Sequence, residues 1–361
     1  MINISQPYID ENEIKAVENV LKSGQLAQGA KVKYFEDEFS EYLGVKYSVA
    51  TSSGTTALQM ALLANGKGKG DEVITTGFTF VATINSILSV GAKPVLVDIN
   101  TITNNIDVTK IEKHITKNTK AIMPVHLYGL SCDMSVIEKI SKKYNLMIIE
   151  DACQSLGAEF ENKKVGSFGA GCFSFYPTKN ITTGEGGMVC TDNENLYEKL
   201  LLIRNHGMGK SRYDYIALGY NFRMTELQAA IGISQLEKLD LMLGLRIKNA
   251  RIYDRALSKY VEIPFSNEKY FHAYNQYTIR TDHENRDKLQ DFLDSKNIQT
   301  VVYYPNPVSH FDHVRDNSII DSELLNSDLN SKNVLSLPVH PKLTVDDLDF
   351  VISSINEFFN E

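Results

Sequence analysis

Between residues 47 and 191 short apolar runs alternate with amphipathic stretches, and this alternation restricts the possible fold more than any other feature of the 361-residue chain. YSVATS, DEVITT, KPVLVD, KAIMPVH, LMIIEDA, GCFSFY and GGMVCT are rich in β-branched and aromatic residues at strand length. TALQMALLA, ATINSILSV and MSVIEKISKKY carry apolar residues at helical spacing. Strand–helix–strand units wind parallel strands with helices on both faces, so the pattern predicts an α/β chain around a central, mostly parallel sheet. Ligands of such sheets bind at the carboxyl ends of the strands, which tells where to look for chemistry.

The flanks read differently. Asp10 and Glu13 form a D-x-x-E capping pattern that opens a helix with Ile14, Val17, Val20 and Leu21 on one stripe, closed by Gly24. Beyond residue 222 the chain turns to a long helical stretch, then YNQYTIRT, a helix around RDKLQDFLDSKN, QTVVYYP, VLSLPVH and a final helix TVDDLDFVISSINEFF. This predicts a smaller α+β domain over 241–361 behind a large domain over 1–240.

Composition removes several classes of function. Apolar residues make up 43% of the chain and charged ones 23%, with 22 Gly and 9 Pro, so a sizeable core forms and bulk disorder is excluded. Lys and Arg number 37 against 45 Asp and Glu, a net charge of −8 with no basic run to track a phosphate backbone, so no nucleic acid is expected as partner. Four cysteines without a C-x-x-C pair suggest neither a zinc knuckle nor a disulfide framework, and no metal site is expected. The N-terminus lacks a basic and apolar leader and no run is long enough to span a bilayer, so a cytoplasmic location with no membrane partner is expected.

Three segments carry chemistry. In GCFSFYPTKNITTGEGGMVCT a buried strand runs into Lys179, followed by Gly184, Gly186 and Gly187. A lysine placed there loses hydration, its pKa falls, and the neutral amine can bond an aldehyde; a surface lysine in a hairpin turn is the plain alternative. In LMIIEDACQSLGA, Asp151 stands at a strand's carboxyl tip, where it could pair with a protonated pyridine nitrogen or simply cap a helix, with Gln154 three residues on. In ATSSGTTALQM a strand enters a helix through Ser53, Gly54 and Thr55; free N–H groups at a helix start attract phosphate, although Ser53 could equally act as an ordinary cap. Ser174 could add a hydroxyl to the same phosphate. Phe80, in TTGFTFVAT, could stack on a planar ring or belong to the core.

These motifs together, with SGQLAQG, GYNFRMTELQAAIG, VYYP and LSLPVHPKLT, make the sequence resemble the DegT/DnrJ/EryC1/StrS family of pyridoxal-phosphate-dependent sugar aminotransferases over nearly the whole chain. The resemblance implies the aspartate-aminotransferase-like fold type I and a homodimer with shared active sites. It implies Lys179 bonded to the cofactor aldehyde, Asp151 on the ring nitrogen, Gln154 near the ring hydroxyl and Phe80 against the ring. Gly54, Thr55 and Ser174 fall on the phosphate, and Asn221 of GYN reaches the phosphate of the neighbouring subunit. The implied reaction is a two-step transfer from L-glutamate to a keto group, C4 favoured and C3 possible, of a UDP- or dTDP-linked keto-deoxy sugar, in making amino sugars for glycans.

Competing readings are a non-catalytic cofactor-binding regulator and a sugar dehydratase, the latter implied by resemblance to carry histidine where this chain has Lys179. A cysteine desulfurase would need a thiol on a mobile loop, by resemblance in the C-terminal third, and no cysteine follows Cys190. Gly209-Lys210-Ser211 lacks the first glycine of a P-loop and follows a helical stretch, and His310 with His313 lacks a third metal ligand. The loops 206–219 and 303–315 are expected to select the nucleotide.

Overall fold

The computed structural model describes residues 1–211, 213–320 and 324–360; Arg212, within the first of the loops expected to select the nucleotide, lies outside the described residues. In chain order the elements are α1 (Glu11–Ser23), α2 (Ala30–Leu43), β1 (Tyr47–Thr51), α3 (Gly54–Ala64), β2 (Glu72–Thr76), α4 (Ala82–Ser89), β3 (Lys93–Val97), β4 (Thr119–Ile122), α5 (Met134–Tyr144) and β5 (Met147–Asp151). There follow β6 (Glu159–Phe160), β7 (Lys163–Lys164), β8 (Ala170–Ser174), β9 (Gly187–Thr191), α6 (Glu194–Arg204), α7 (Glu226–Glu237) and α8 (Leu239–Leu257). The rest are β10 (Tyr270–Phe271), β11 (Tyr277–Arg280), α9 (His283–Ser295), α10 (Asp312–Arg315), β12 (Ile319–Ile320), α11 (Leu325–Asn333), β13 (Val334–Leu337) and α12 (Val345–Asn360).

The large sheet has the order β1-β9-β8-β5-β4-β2-β3-β12, and β9 alone runs antiparallel to its neighbours. Side chains of successive strand residues point to opposite faces, so Cys172 packs with Leu58, Leu62 and Val189 beneath α3, while Phe173 packs with Phe35, Phe39 and Met188 beneath α2. Phe39 meets Phe173 edge to face at 5.2 Å. With both faces covered, β2 has every residue buried, which is why its sequence reads as an unbroken strand run. The carboxyl ends of β1, β2, β5 and β8 all open on one edge of this sheet.

Helix α1 begins where its sequence predicts: Asp10 accepts from the Asn12 N–H, Glu13 accepts from the Asp10 N–H, and Gly24 closes the helix at φ 70°. It docks through a polar contact as much as an apolar one. Buried Glu13 accepts from Gln235 of α7 and pairs with Lys238, while Ile14 and Leu21 of the apolar stripe stay more than half exposed.

A second core forms around Tyr253, Tyr277, Leu289, Leu335 and Val351, where the β11–β13 ribbon packs with α8, α9 and α12. Helix α8 belongs to both cores, Leu239, Met242 and Leu243 to the large one and Ala250, Tyr253 and Leu257 to the small one. We propose the domain boundary at residues 240 and 241, in the first turn of this helix. Strand β12, although far beyond that boundary, returns to pair with the edge strand β3.

Candidate active site

A cavity of about 580 Å³ opens at the carboxyl ends of the strands, within the range of small-molecule sites. Gly54, Thr55, Phe80, Asp151, Gln154, Ser174 and Lys179 all line it. Asn221 does not: it is exposed, on a segment whose backbone bridges to Asn205.

The strand-to-helix turn after β1 builds one end of the cavity. Ser53 caps α3 by accepting from the Thr56 N–H at 3.1 Å, and Thr56 reciprocates on the Ser53 N–H at 3.0 Å. The cap satisfies the third N–H of the helix and leaves those of Gly54 and Thr55 for a ligand. Glycine at 54 is enforced by crowding, since a Cβ there would stand 2.7 Å from Ser174 Cβ and 3.0 Å from Cys153 Sγ. The ordinary cap and the anion cup read from the sequence therefore coexist: Ser53 caps, and the next two residues face the cavity.

Lys179 sits on a turn pinned on both sides. Its N–H donates to Tyr176 O at 2.9 Å, and Asn180 Nδ2 reaches Leu156 O at 3.0 Å. The return to β9 passes through Gly184 at φ 80°, a backbone shape that favours glycine. The lysine is half-buried, and burial holds its pKa below the usual lysine value, against opposing pulls from Cys153 and Asp151. It is thus a lining residue of the cavity and not the exposed hairpin lysine of the alternative reading.

Asp151, the last residue of β5, is 5% exposed. Its Oδ1 accepts from the Cys153 N–H at 3.2 Å and its Oδ2 from Thr83 Oγ1 at 2.7 Å. Among the described residues no cation pairs with it within 4.0 Å, so a buried carboxylate retains acceptor capacity toward the cavity. Gln154 is held at both ends, Oε1 accepting from the Tyr128 N–H at 3.1 Å and Nε2 donating to the Tyr304 hydroxyl at 2.9 Å. Phe80 is 54% exposed in the single chain and lies 6.0 Å from the Tyr304 ring, their planes tilted by 34°.

Residues the sequence reading missed complete the wall: Thr79, Thr83, Tyr176, Gln276, Tyr303 and Tyr304. Thr83 and Tyr304 lie inside the motifs FTFVAT and VYYP, but a hydroxyl within a motif does not reveal which distant group it will meet. Cys153 also lines the cavity, with burial pushing its thiol pKa well above the usual value. Of the segments set aside, His310 pairs with Asp328 and His313 with Asn85, and the stretch before Gly209 is helix α6.

These residues suit pyridoxal phosphate. An N–H pair with a neighbouring hydroxyl and a cradle kept open by Gly54 accept a phosphate, Asp151 offers a buried acceptor, and Lys179 offers an amine.

Comparison with known proteins points the same way. The DegT/DnrJ/EryC1/StrS aminotransferase family matches residues 7–356. The chain is 40% identical to the pleiotropic regulatory protein of Geobacillus stearothermophilus and 38% identical to the GDP-perosamine synthase of Caulobacter vibrioides, in both cases over 99% of this chain and 98% of the relative. Among solved structures, ntda from Bacillus subtilis with bound cofactor PMP is similar at a TM-score of 0.90 and 34% identity, covering 98% of this chain and 83% of that one.

Proposed function

Because this chain belongs to the DegT/DnrJ/EryC1/StrS aminotransferase family, we propose that it moves the amino group of L-glutamate to a keto group, C4 favoured and C3 possible, of a nucleotide-linked keto-deoxy sugar. It is a sugar aminotransferase of the fold type I architecture, and its cofactor is pyridoxal 5'-phosphate. The observation that carries the reading is the convergence of Gly54, Phe80, Asp151, Ser174 and Lys179, from separate stretches of sequence, on one cavity.

Each residue has a task that follows from its surroundings. The N–H groups of Gly54 and Thr55, with the Ser174 hydroxyl, hold the phosphate, and the α3 dipole favours its charge. Phe80 offers a face to the ring and Asp151 an acceptor to the ring nitrogen. When bound, the cofactor takes up an amine at its aldehyde and draws off the electron pair released when a proton leaves. Lys179, its pKa lowered by burial, supplies a neutral amine more readily than a solvated lysine does; its Nζ would hold the aldehyde until the donor's amine displaces it, and the freed Nζ would then take the proton from the donor's α-carbon and later return it.

Further parts of the reading concern assembly and substrate. Asn221, exposed in one chain, serves the phosphate site of a second copy in a homodimer. The sugar carries UDP or dTDP, with GDP added to the choice by the name of the Caulobacter relative. The chain works in the cytoplasm; among the described residues no helix is long and apolar enough to cross a membrane.

A second reading, a cofactor-binding regulator without turnover, gains weight from the name of the Geobacillus relative. One experiment separates the two. The purified protein is loaded with pyridoxal phosphate and divided: one portion is reduced with borohydride and mapped, and the other, left unreduced, is given L-glutamate with a panel of keto-sugar nucleotides. Transfer predicts label on Lys179, release of 2-oxoglutarate and an aminated sugar; label without any release would leave the regulator.

A further inference from the structure

Asp151 is held by a short chain of hydroxyls from the FTFVAT segment, Thr83 and Thr79. Thr83, in the first turn of α4, is 1% exposed, and its Oγ1 lies 2.7 Å from Asp151 Oδ2. Thr79, in the loop before α4, is 3% exposed, and its Oγ1 lies 3.0 Å from Thr83 Oγ1. All three side chains line the cavity.

Counting protons orients the chain. A carboxylate only accepts, so the single hydroxyl proton of Thr83 goes to Asp151. Thr83 Oγ1 then has only lone pairs to offer, and the proton in the contact with Thr79 must come from Thr79. Two hydroxyls donate in series toward one buried carboxylate oxygen, each bond polarising the next. The backbone N–H of Cys153 holds the other oxygen at 3.2 Å. Phe80 lies between Thr79 and Thr83, so the loop that presents an aromatic face to the cavity also orients the carboxylate.

We propose that Thr83, supported by Thr79, is a positioning residue that fixes the Asp151 carboxylate in the orientation that receives the cofactor's ring nitrogen. This rests on the cofactor reading above, and deepens it by naming what aims the carboxylate. Threonine suits the task because its branched side chain has few χ1 choices on a helix, so the hydroxyl is aimed with little entropy to lose.

The test compares Thr83→Val, which keeps the shape and removes the donor, with Thr83→Ser, which keeps the donor. In cofactor-free crystals of wild type and Thr83→Val the expected result is a turned or dispersed Asp151 carboxylate in the variant alone; an unchanged carboxylate overturns the proposal whether or not the protein binds cofactor. In protein loaded with pyridoxal phosphate, Thr83→Val should weaken cofactor affinity by about tenfold and slow kcat for the glutamate half-reaction by about 10–100-fold, with little change in KM. Thr83→Ser should recover most of both. Equal losses in Thr83→Ser and Thr83→Val would show that packing matters and the hydroxyl does not, which also overturns it. Failure of the wild type to take up pyridoxal phosphate would sink the cofactor reading instead, leaving the crystal comparison to decide the positioning role.

Discussion

Glu150 and Asp151 are neighbours at the tip of β5, yet their carboxylates live in opposite worlds. Glu150 is fully buried and saturated: Oε1 accepts from the N–H groups of Phe168 and Gly169, and Oε2 from the Gly166 N–H and His126 Nε2. His126 in turn accepts the Cys132 N–H on Nδ1, which leaves Nε2 to donate. The Glu150 carboxylate thus clamps the 166–169 loop. Asp151, on the cavity side, receives two donors and has room for more. The pair teaches that burial alone does not mark a functional carboxylate; unspent hydrogen-bonding capacity facing a cavity does. Glu226 belongs with Glu150, since its oxygens accept from Gly29, Lys31 and Val32 and cap α2. Lys179 belongs with Asp151.

The contrast can be broken in four places. Lys179→Ala should lower amine transfer by more than about a thousandfold, read as 2-oxoglutarate release from L-glutamate, while the far-ultraviolet circular dichroism stays native. Next, the neighbouring carboxylates are exchanged in effect: Asp151→Asn should cut kcat by about a hundredfold with little change in unfolding free energy. Glu150→Gln, which turns an amide N–H₂ against N–H donors, should cost about 3 kcal/mol in urea unfolding yet leave kcat per folded molecule nearly intact. A result in which both variants lose mainly activity would erase the distinction. Glu226→Ala strips three N–H groups of their acceptor at the start of α2 and should cost about 1–2 kcal/mol without touching kcat.

The smallest effect concerns the lysine without cofactor. Burial lowers its pKa in the folded state, so across the window between that lowered value and the ordinary 10.5 the unfolded chain binds more protons and stability rises with pH. Lys179→Met should therefore stabilise the cofactor-free protein by roughly 1 kcal/mol at neutral pH, and the gain should shrink as pH climbs toward 10.5. Denaturant titrations at pH 7 and pH 10 check the sign.

Two kinds of information made this protein. Alternating strands and helices, the Asp10 and Ser53 caps and seven of the residues lining the cavity, Gly54 to Lys179, were legible in the chain because periodicity, capping and motif spacing act over a few residues. Even so, the exposure of Ile14 and Leu21 was not, since period alone does not say which face finds a partner. Helix α2 carries no local cap of its own at Gly29; its acceptor is a carboxylate 197 residues away. The Thr83 hydroxyl on Asp151 spans 68 residues and the Tyr304 contact with Gln154 spans 150. Such partners meet only after the sheet order has brought the strand ends together, and no short-range preference encodes which ends those will be. The sequence by itself determined the elements and the chemistry they carry; the tertiary structure decided which polar groups are used up in holding the fold and which are left with capacity to act.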